Sequence, residues 1–195
     1  RMPSGDILLV TPHTRQFYSG MVPGLIAGRF AEDACAIDVV PLAKAAGVHL
    51  RIGQAESLDA AARKVTLADG EQIDYDVLSI NTGPVQDRER IPGAREFALF
   101  VRPIEGFITL WKQTRAMADE RPLSVVVVGN GAGGVELVLA VRAALGARAE
   151  LSIVTDGALL PSYSERVQRK ALAALRRAKV QVLQGRCTAL RTAKE

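Results

Sequence analysis

The apolar positions of this chain fall into short aliphatic runs and longer stretches of helical spacing. Ile7–Val10 is a continuous apolar run that stops at Thr11-Pro12, the pattern of a strand buried on both faces of a parallel sheet. Residues 13–28 are interrupted by Gly20, Pro23, Gly24 and Gly28; they are too broken for a long helix and too apolar for a linker, so they are expected to cover a neighbouring surface. Asp38–Ala46 is predicted as a helix with Asp38 at its N-cap and Gly47 as its stop, and Val48–Ile52 as the next strand. From Ala55 the period becomes two. Lys64–Ala68 alternates, Asp69-Gly70 supplies a turn and Gln72–Tyr75 returns, which predicts a small antiparallel meander.

Tyr75–Ile80 is a further apolar strand in the sequence pattern, ending at Asn81-Thr82-Gly83, and residues 84–93 form a charged loop bounded by prolines. A helix is expected over Ile104–Ala118 with Phe107, Leu110 and Trp111 on one side, closed by Asp119-Glu120-Arg121-Pro122 as a linker. A fresh alternation follows: strand Ser124–Val128, helix Val135–Leu145, strand Leu151–Thr155, helix Glu165–Arg177 and strand Val180–Leu183. Strands alternating with helices of this length predict a parallel sheet with right-handed crossovers. The pattern therefore predicts an α/β chain divided near residue 120, with domains 1–120 and 121–195.

Composition narrows the chemistry. The chain has 195 residues, 48% of them hydrophobic and 24% charged, as expected of a globular chain. No apolar run approaches the roughly 20 residues needed to cross a bilayer, and no apolar leader follows Arg1, so the expectation is a cytoplasmic protein that does not span a membrane. Cys35 and Cys187 lie far apart and are not part of a paired motif; buried thiols are expected rather than a redox dithiol or a disulfide framework. His13 and His49 lack companions at metal-ligand spacing, so no metal site is expected. Much of the net charge of +4 comes from Arg166, Arg169, Lys170, Arg176, Arg177 and Lys179. These alternate with Val167, Ala171, Leu172 and Leu175 on a helical pattern and are expected to form a solvated face, not a nucleic-acid surface.

The strongest chemical signal follows Val125–Val128. Gly129, Asn130, Gly131, Ala132, Gly133 and Gly134, then Val135 and Glu136, satisfy GxGxxG with glycines at 129, 131 and 134. The first glycine permits the tight turn out of a strand, the second lets a diphosphate approach the backbone, and the third lets a helix pack against the sheet. The helix N-terminus then offers unpaired N–H groups and a positive dipole end to phosphates. A second strand lies about 20 residues on, at the distance such a fingerprint requires. That strand ends in Thr155-Asp156, with Thr where an acid usually meets the ribose; Asp156 either serves the ribose instead or forms the turn before Gly157. NAD is favoured over NADP, since no basic residue is obviously placed for a 2′-phosphate.

The GNGAGGVE spacing at 129–136, DYDVLSINTGP at 74–84 and IPGA at 91–94 together resemble the two-dinucleotide-binding flavoprotein superfamily of NADH dehydrogenases, ferredoxin reductases, sulfide:quinone reductases and disulfide reductases. The resemblance covers nearly the whole chain, and residues 11–28 most resemble NADH dehydrogenase-like modules, including those joined to selenophosphate synthases. It implies two Rossmann-like three-layer units: a flavin domain that includes the meander, then a nicotinamide domain. It also implies FAD and NAD(P) as cofactors, with hydride passing from NAD(P)H to the flavin N5 and on to a quinone or another electron acceptor. By the same resemblance Gly129, Gly131 and Gly134 lie at the nicotinamide nucleotide, Glu136 near its nicotinamide end, Thr82 and Gly83 beside FAD, and Tyr18–Gly24 over the flavin. Residue by residue, simpler roles stand beside these. Glu136 complements a helix dipole, Thr82-Gly83 is a strand-ending turn, and Tyr18 and Met21 are packing residues.

The sequence departs from the pattern in three respects. It has no glycine fingerprint ahead of Ile7, no closing Gly-Asp segment, and Thr11 stands where an acid meets the FAD ribose. These departures lead to the expectation of a piece of a longer polypeptide that holds FAD weakly by itself and associates as a homodimer, since parallel-sheet edges are normally covered. The lack of a paired-cysteine motif argues against the disulfide and sulfide reductases. Two rivals remain: a nicotinamide nucleotide-binding or regulatory module without turnover, and a structural unit that binds nothing.

Overall fold

A computed structural model describes residues 5–191. In chain order the elements are β1 (Leu8–Thr11), β2 (Arg15–Phe17), α1 (Val22–Ile26), α2 (Glu32–Cys35), β3 (Ala36–Asp38), α3 (Val39–Ala46), β4 (His49–Ile52), β5 (Ala55–Asp59), β6 (Lys64–Leu67) and β7 (Gln72–Asp74). They continue with α4 (Ala94–Phe97), α5 (Ile104–Glu120), β8 (Leu123–Val128), α6 (Ala132–Leu145), β9 (Ala149–Thr155), α7 (Glu165–Arg177) and β10 (Val180–Gln184). The chain divides into two compact units. One runs to Tyr18 and resumes over Ala36–Gly83; the other comprises Ser19–Cys35 and the chain from Pro84 onward. The fold is mixed α/β, with parallel and antiparallel sheets. Among the described residues no helix is long and apolar enough to cross a membrane.

In the first unit β1 pairs parallel with β4, Leu8 opposite His49 and Thr11 opposite Ile52. Helix α3 starts after Asp38 and ends at Gly47, whose φ of +66° provides the left-handed C-cap expected of it. The meander is present as β5–β6–β7, turning at Gly70 (φ +88°). Its tip is held by Arg51, whose guanidinium pairs with both Asp69 and Glu71, and Leu67 fills its core.

Two sequence expectations fail in this unit. The run Tyr75–Ile80 forms no strand, and Val77 is 89% exposed. Likewise β1 is not buried on both faces, since Leu8 is 44% and Leu9 40% exposed. The physical reason is shared. A parallel strand is stable only when neighbours fill both its hydrogen-bonding edges and layers cover both faces, and among the described residues β1 pairs with β4 alone. The two-stranded antiparallel pairing of β2 with β3 is absent from the sequence reading, because three-residue strands carry almost no periodicity.

The second unit contains a three-stranded parallel sheet of order β10–β9–β8, the 3-2-1 half of a nucleotide-binding α/β fold. Val125 lies opposite Leu151 and Val127 opposite Ile153, while Val182 continues the row from Ile153. Helix α6 packs on this sheet and α1 packs on α6, with Ile26, Val138, Leu145 and Ile153 fully buried. The part of the broken segment that forms α1 thus does cover something, helix α6. Helix α5 buries Phe107 and Trp111 as expected, but Leu110 is 39% exposed. The helix also continues through Asp119 and Glu120, which were expected to form a linker. Leu110 falls about 100° from Trp111 around the helix, so the apolar stripe is narrower than the composition implied.

The carbonyl ends of α6 are satisfied by arginines. Arg142 donates from Nη1 to the carbonyls of Gly146 (2.6 Å) and Ala149 (2.9 Å), and from Nη2 to that of Lys179 (3.1 Å). One planar fork therefore ties the helix end to the starts of β9 and β10, a geometry an ammonium group cannot copy. Arg148 adds bonds to the carbonyls of Leu145 and Ala144 and pairs with Asp119. We predict that Arg142→Lys lowers unfolding free energy by about 1–3 kcal/mol, as for loss of charge-assisted bonds, measured by urea denaturation. A stability equal to wild type would show that the fork is dispensable.

A second prediction concerns Asp69, whose carboxyl lies below the usual range because the Glu71 amide and the Arg51 guanidinium stabilise its charged form. A folded-state pKa below the unfolded one adds stability at pH above the carboxylate range and loses it as pH falls through that range. Asp69→Asn should therefore be less stable than wild type at neutral pH and converge with it in acid. A difference independent of pH would contradict this assignment.

Candidate functional site

The turn between β8 and α6 is built by the glycines that the sequence singled out. Gly129 has φ +143°, a conformation L side chains rarely adopt, and its N–H donates to the carbonyl of Val154 (3.0 Å). Gly131 is the N-cap of α6, with no side chain capping the helix. A Cβ on Gly129, Gly131 or Gly133 would meet nothing within 4 Å, whereas one on Gly134 would lie 2.8 Å from the Gly129 carbonyl oxygen. The glycines thus do two different jobs. Gly134 lets the helix close onto the turn, while Gly131 and Gly133 leave an open space in front of it. The helix begins at Ala132, three residues earlier than the sequence pattern implied, because glycines hide the helical period.

Helix N-termini leave their first N–H groups without intrahelical acceptors. Here the opening amides of a 14-residue helix border open space with no competing side-chain cap. A diphosphate fits this arrangement: it needs close backbone approach, N–H donors and the positive dipole end. Asn130 contributes through its backbone, its carbonyl accepting from Leu160 N–H at 2.7 Å. Glu136 is exposed and lies beyond the first turn of α6, which contains no acid. The dipole effect fades within one turn, which weakens the helix-start reading of Glu136.

At the end of β9, Thr155 is 1% exposed and its Oγ1 donates to the Gly157 carbonyl (2.9 Å). The neighbouring Asp156 is exposed. At the end of β1, Thr11 uses the same device: it is buried, and its Oγ1 donates to the His13 carbonyl (3.3 Å) while accepting from Gln16 Nε2 (2.9 Å). Both threonines are turned into their own loops. Thr82 and Gly83 are exposed, outside any helix or strand, with Gly83 at φ +73°; their unit is not the one that carries the glycine turn. Tyr18 is also exposed. Cys35 is a buried free thiol, its pKa raised by burial, and Cys187 is a half-buried one. Residues that sequence reasoning missed are Leu160, whose N–H donates to the Asn130 carbonyl, and Gln168, whose Nε2 donates to the carbonyls of Leu160 and Tyr163.

Comparison with known proteins adds an independent line. The family profile described as Pyridine nucleotide-disulphide oxidoreductase matches residues 1–192. NADH dehydrogenase-like protein YutJ of Bacillus subtilis (strain 168) is 27% identical over 125 residues, which is 63% of this chain and 34% of that protein. Among solved structures, NDH2 from Plasmodium falciparum in complex with NADH superposes with a TM-score of 0.78 at 18% identity, covering 92% of this chain and 43% of its own. The ferredoxin reductase for the CYP199A2 system from Rhodopseudomonas palustris does so with a TM-score of 0.80 at 18% identity, covering 97% and 46%. The chain thus spans about a third of its curated relative and under half of these structures. The glycine turn, the 3-2-1 sheet and a profile match over almost the full length agree: the chain belongs to the pyridine nucleotide-disulphide oxidoreductase family.

Proposed function

We propose that this chain forms part of an NAD(P)H-dependent flavoprotein oxidoreductase of NADH dehydrogenase-like type, and that its glycine turn binds the diphosphate of the nicotinamide nucleotide. The observation that carries the reading is the contrast between Gly134, which has no room for a Cβ, and Gly131, which has open space. Gly134 fixes the helix close behind the strand, and the open space at Gly131 lies directly before that helix's N-terminus, which no side chain caps. In this reading residues 1–120 belong with the flavin and 121–195 with the nicotinamide nucleotide. When bound, the two cofactors supply the hydride chemistry, with electrons leaving to a quinone or another acceptor.

The chain's own part is binding and orientation. The amides of Gly131, Ala132 and Gly133 hold the diphosphate, and Asn130 sets the entry to the turn. Asp156 takes the ribose hydroxyls: the Thr155 hydroxyl is engaged with Gly157, which leaves the exposed carboxylate as the polar group at that strand end. Glu136 faces the nicotinamide side. The flavin half of the proposal rests on family membership. Thr82 and Gly83 would lie beside FAD, but as exposed residues of an irregular segment they do not form an enclosing site, and no step is assigned to them.

Two predictions test the nucleotide site. Gly131→Ala should fold with stability within about 1 kcal/mol of wild type yet weaken NADH binding at least about tenfold, near 1.4 kcal/mol, followed by fluorescence titration. Gly134→Ala should instead destabilise the fold by about 1–3 kcal/mol through overpacking. If Gly131→Ala binds NADH like wild type, the diphosphate does not lie on that turn. Asp156→Ala should weaken NADH about three- to tenfold, as for loss of a hydrogen bond worth about 1 kcal/mol at an exposed position, and affect NADPH less. Equal losses for the two nucleotides would remove Asp156 from the ribose site. For the flavin, absorbance near 450 nm is expected in the full-length protein, where a nucleotide-binding module without turnover would show none.

A further inference from the structure

We propose that the segment from Gly157 to Tyr163 is a strap that orients the phosphate-binding turn, with Leu160 and Gln168 as its positioning residues. This inference rests on the nucleotide site proposed above and deepens it. The N–H of Leu160 donates to the carbonyl of Asn130 at 2.7 Å. In a trans peptide the carbonyl and the following N–H point in opposite directions. Fixing the Asn130 carbonyl toward the strap therefore turns the Gly131 N–H away from it, at the N-cap of α6, where an added Cβ would meet nothing within 4 Å.

The strap is held in a conformation that its sequence does not favour. Leu160 has φ +57°, a region costly for a residue with a branched side chain and disfavoured again by the proline that follows. Such strain persists only where the surroundings over-determine it, and here they do. The Leu160 side chain is 5% exposed, with Leu159 buried beside it in sequence. Its carbonyl accepts from Tyr163 N (2.9 Å) and from Gln168 Nε2 (3.2 Å), and Gln168 Nε2 also donates to the Tyr163 carbonyl (3.0 Å). At the other end Thr155 Oγ1 holds the Gly157 carbonyl, and the Gly185 N–H holds that of Thr155 (2.8 Å). Gln168 lies in the second turn of α7, so a side chain on one helix governs a peptide plane at the start of another.

Binding of NADH and of ADP-ribose, which carries the same diphosphate, tests the strap in Gln168→Ala and in the equal-sized Gln168→Glu, which lacks the donors. Both variants should bind both probes about three- to tenfold more weakly, the range expected for loss of supporting hydrogen bonds. Leu175→Val, which thins the buried face of the same helix, should lower the melting temperature but leave both affinities within about twofold. Amide exchange at Leu160 gives a readout that needs no ligand, since its N–H should exchange about tenfold faster in the Gln168 variants. If wild type binds NADH and the Gln168 variants match it, or if Leu160 exchange is unchanged, the strap does not position the turn. If wild type shows no saturable signal with either probe, the nucleotide site itself fails, and the exchange result still decides whether Gln168 holds the strap.

Discussion

The second unit depends on one close approach, the packing of residue 134 of α6 against the carbonyl of Gly129. A Cβ at position 134 would lie 2.8 Å from that oxygen, so only glycine lets the helix begin directly behind the strand. From this follow the early start of α6 at Ala132 and the hydrogen bond from Gly129 to Val154. It also delivers the helix dipole to the carboxyl edge of the sheet, where ligands of open α/β folds bind. The space in front of Gly131 and Gly133 is then available for a ligand rather than filled by the protein.

Across the chain, side-chain and backbone donors alike are aimed at main-chain carbonyls. Arg142 and Arg148 take the carbonyls at the far end of α6, and Leu160 takes the carbonyl of Asn130 at the near end. The two threonines at strand ends, Thr11 and Thr155, turn their hydroxyls to carbonyls two residues on. This shared solution explains why neither position needs an acid for its local structure. Beyond Thr155 the exposed carboxylate of Asp156 is the group the proposed ribose contact uses.

How much of this was legible in the sequence differs by element. From Leu123 onward the strands, α7 and the body of α6 were readable because each carries its period, while glycines hid the first turn of α6 and their spacing instead marked the turn before it. Helix α3 was readable from Gly47, and the meander from Asp69-Gly70. By contrast, Tyr75–Ile80 has the composition of a strand but remains irregular and exposed. Strand propensity reports a fit to a half-buried pleated surface, not an intrinsic backbone preference, so it fails where no neighbour is present to pair with. The β2–β3 pairing was too short to leave a pattern. Leu160 was invisible because its role lies in its N–H, its carbonyl and a left-handed φ, none of which a leucine announces.

In the proposed site the backbone amides opening α6 grip the diphosphate of a nicotinamide nucleotide. Amide chemical shifts followed residue by residue during an NADH titration test it most directly. Gly131, Ala132 and Gly133 should show the largest shifts and saturate together. Saturable shifts confined to other parts of the chain, with these three amides unmoved, would contradict it.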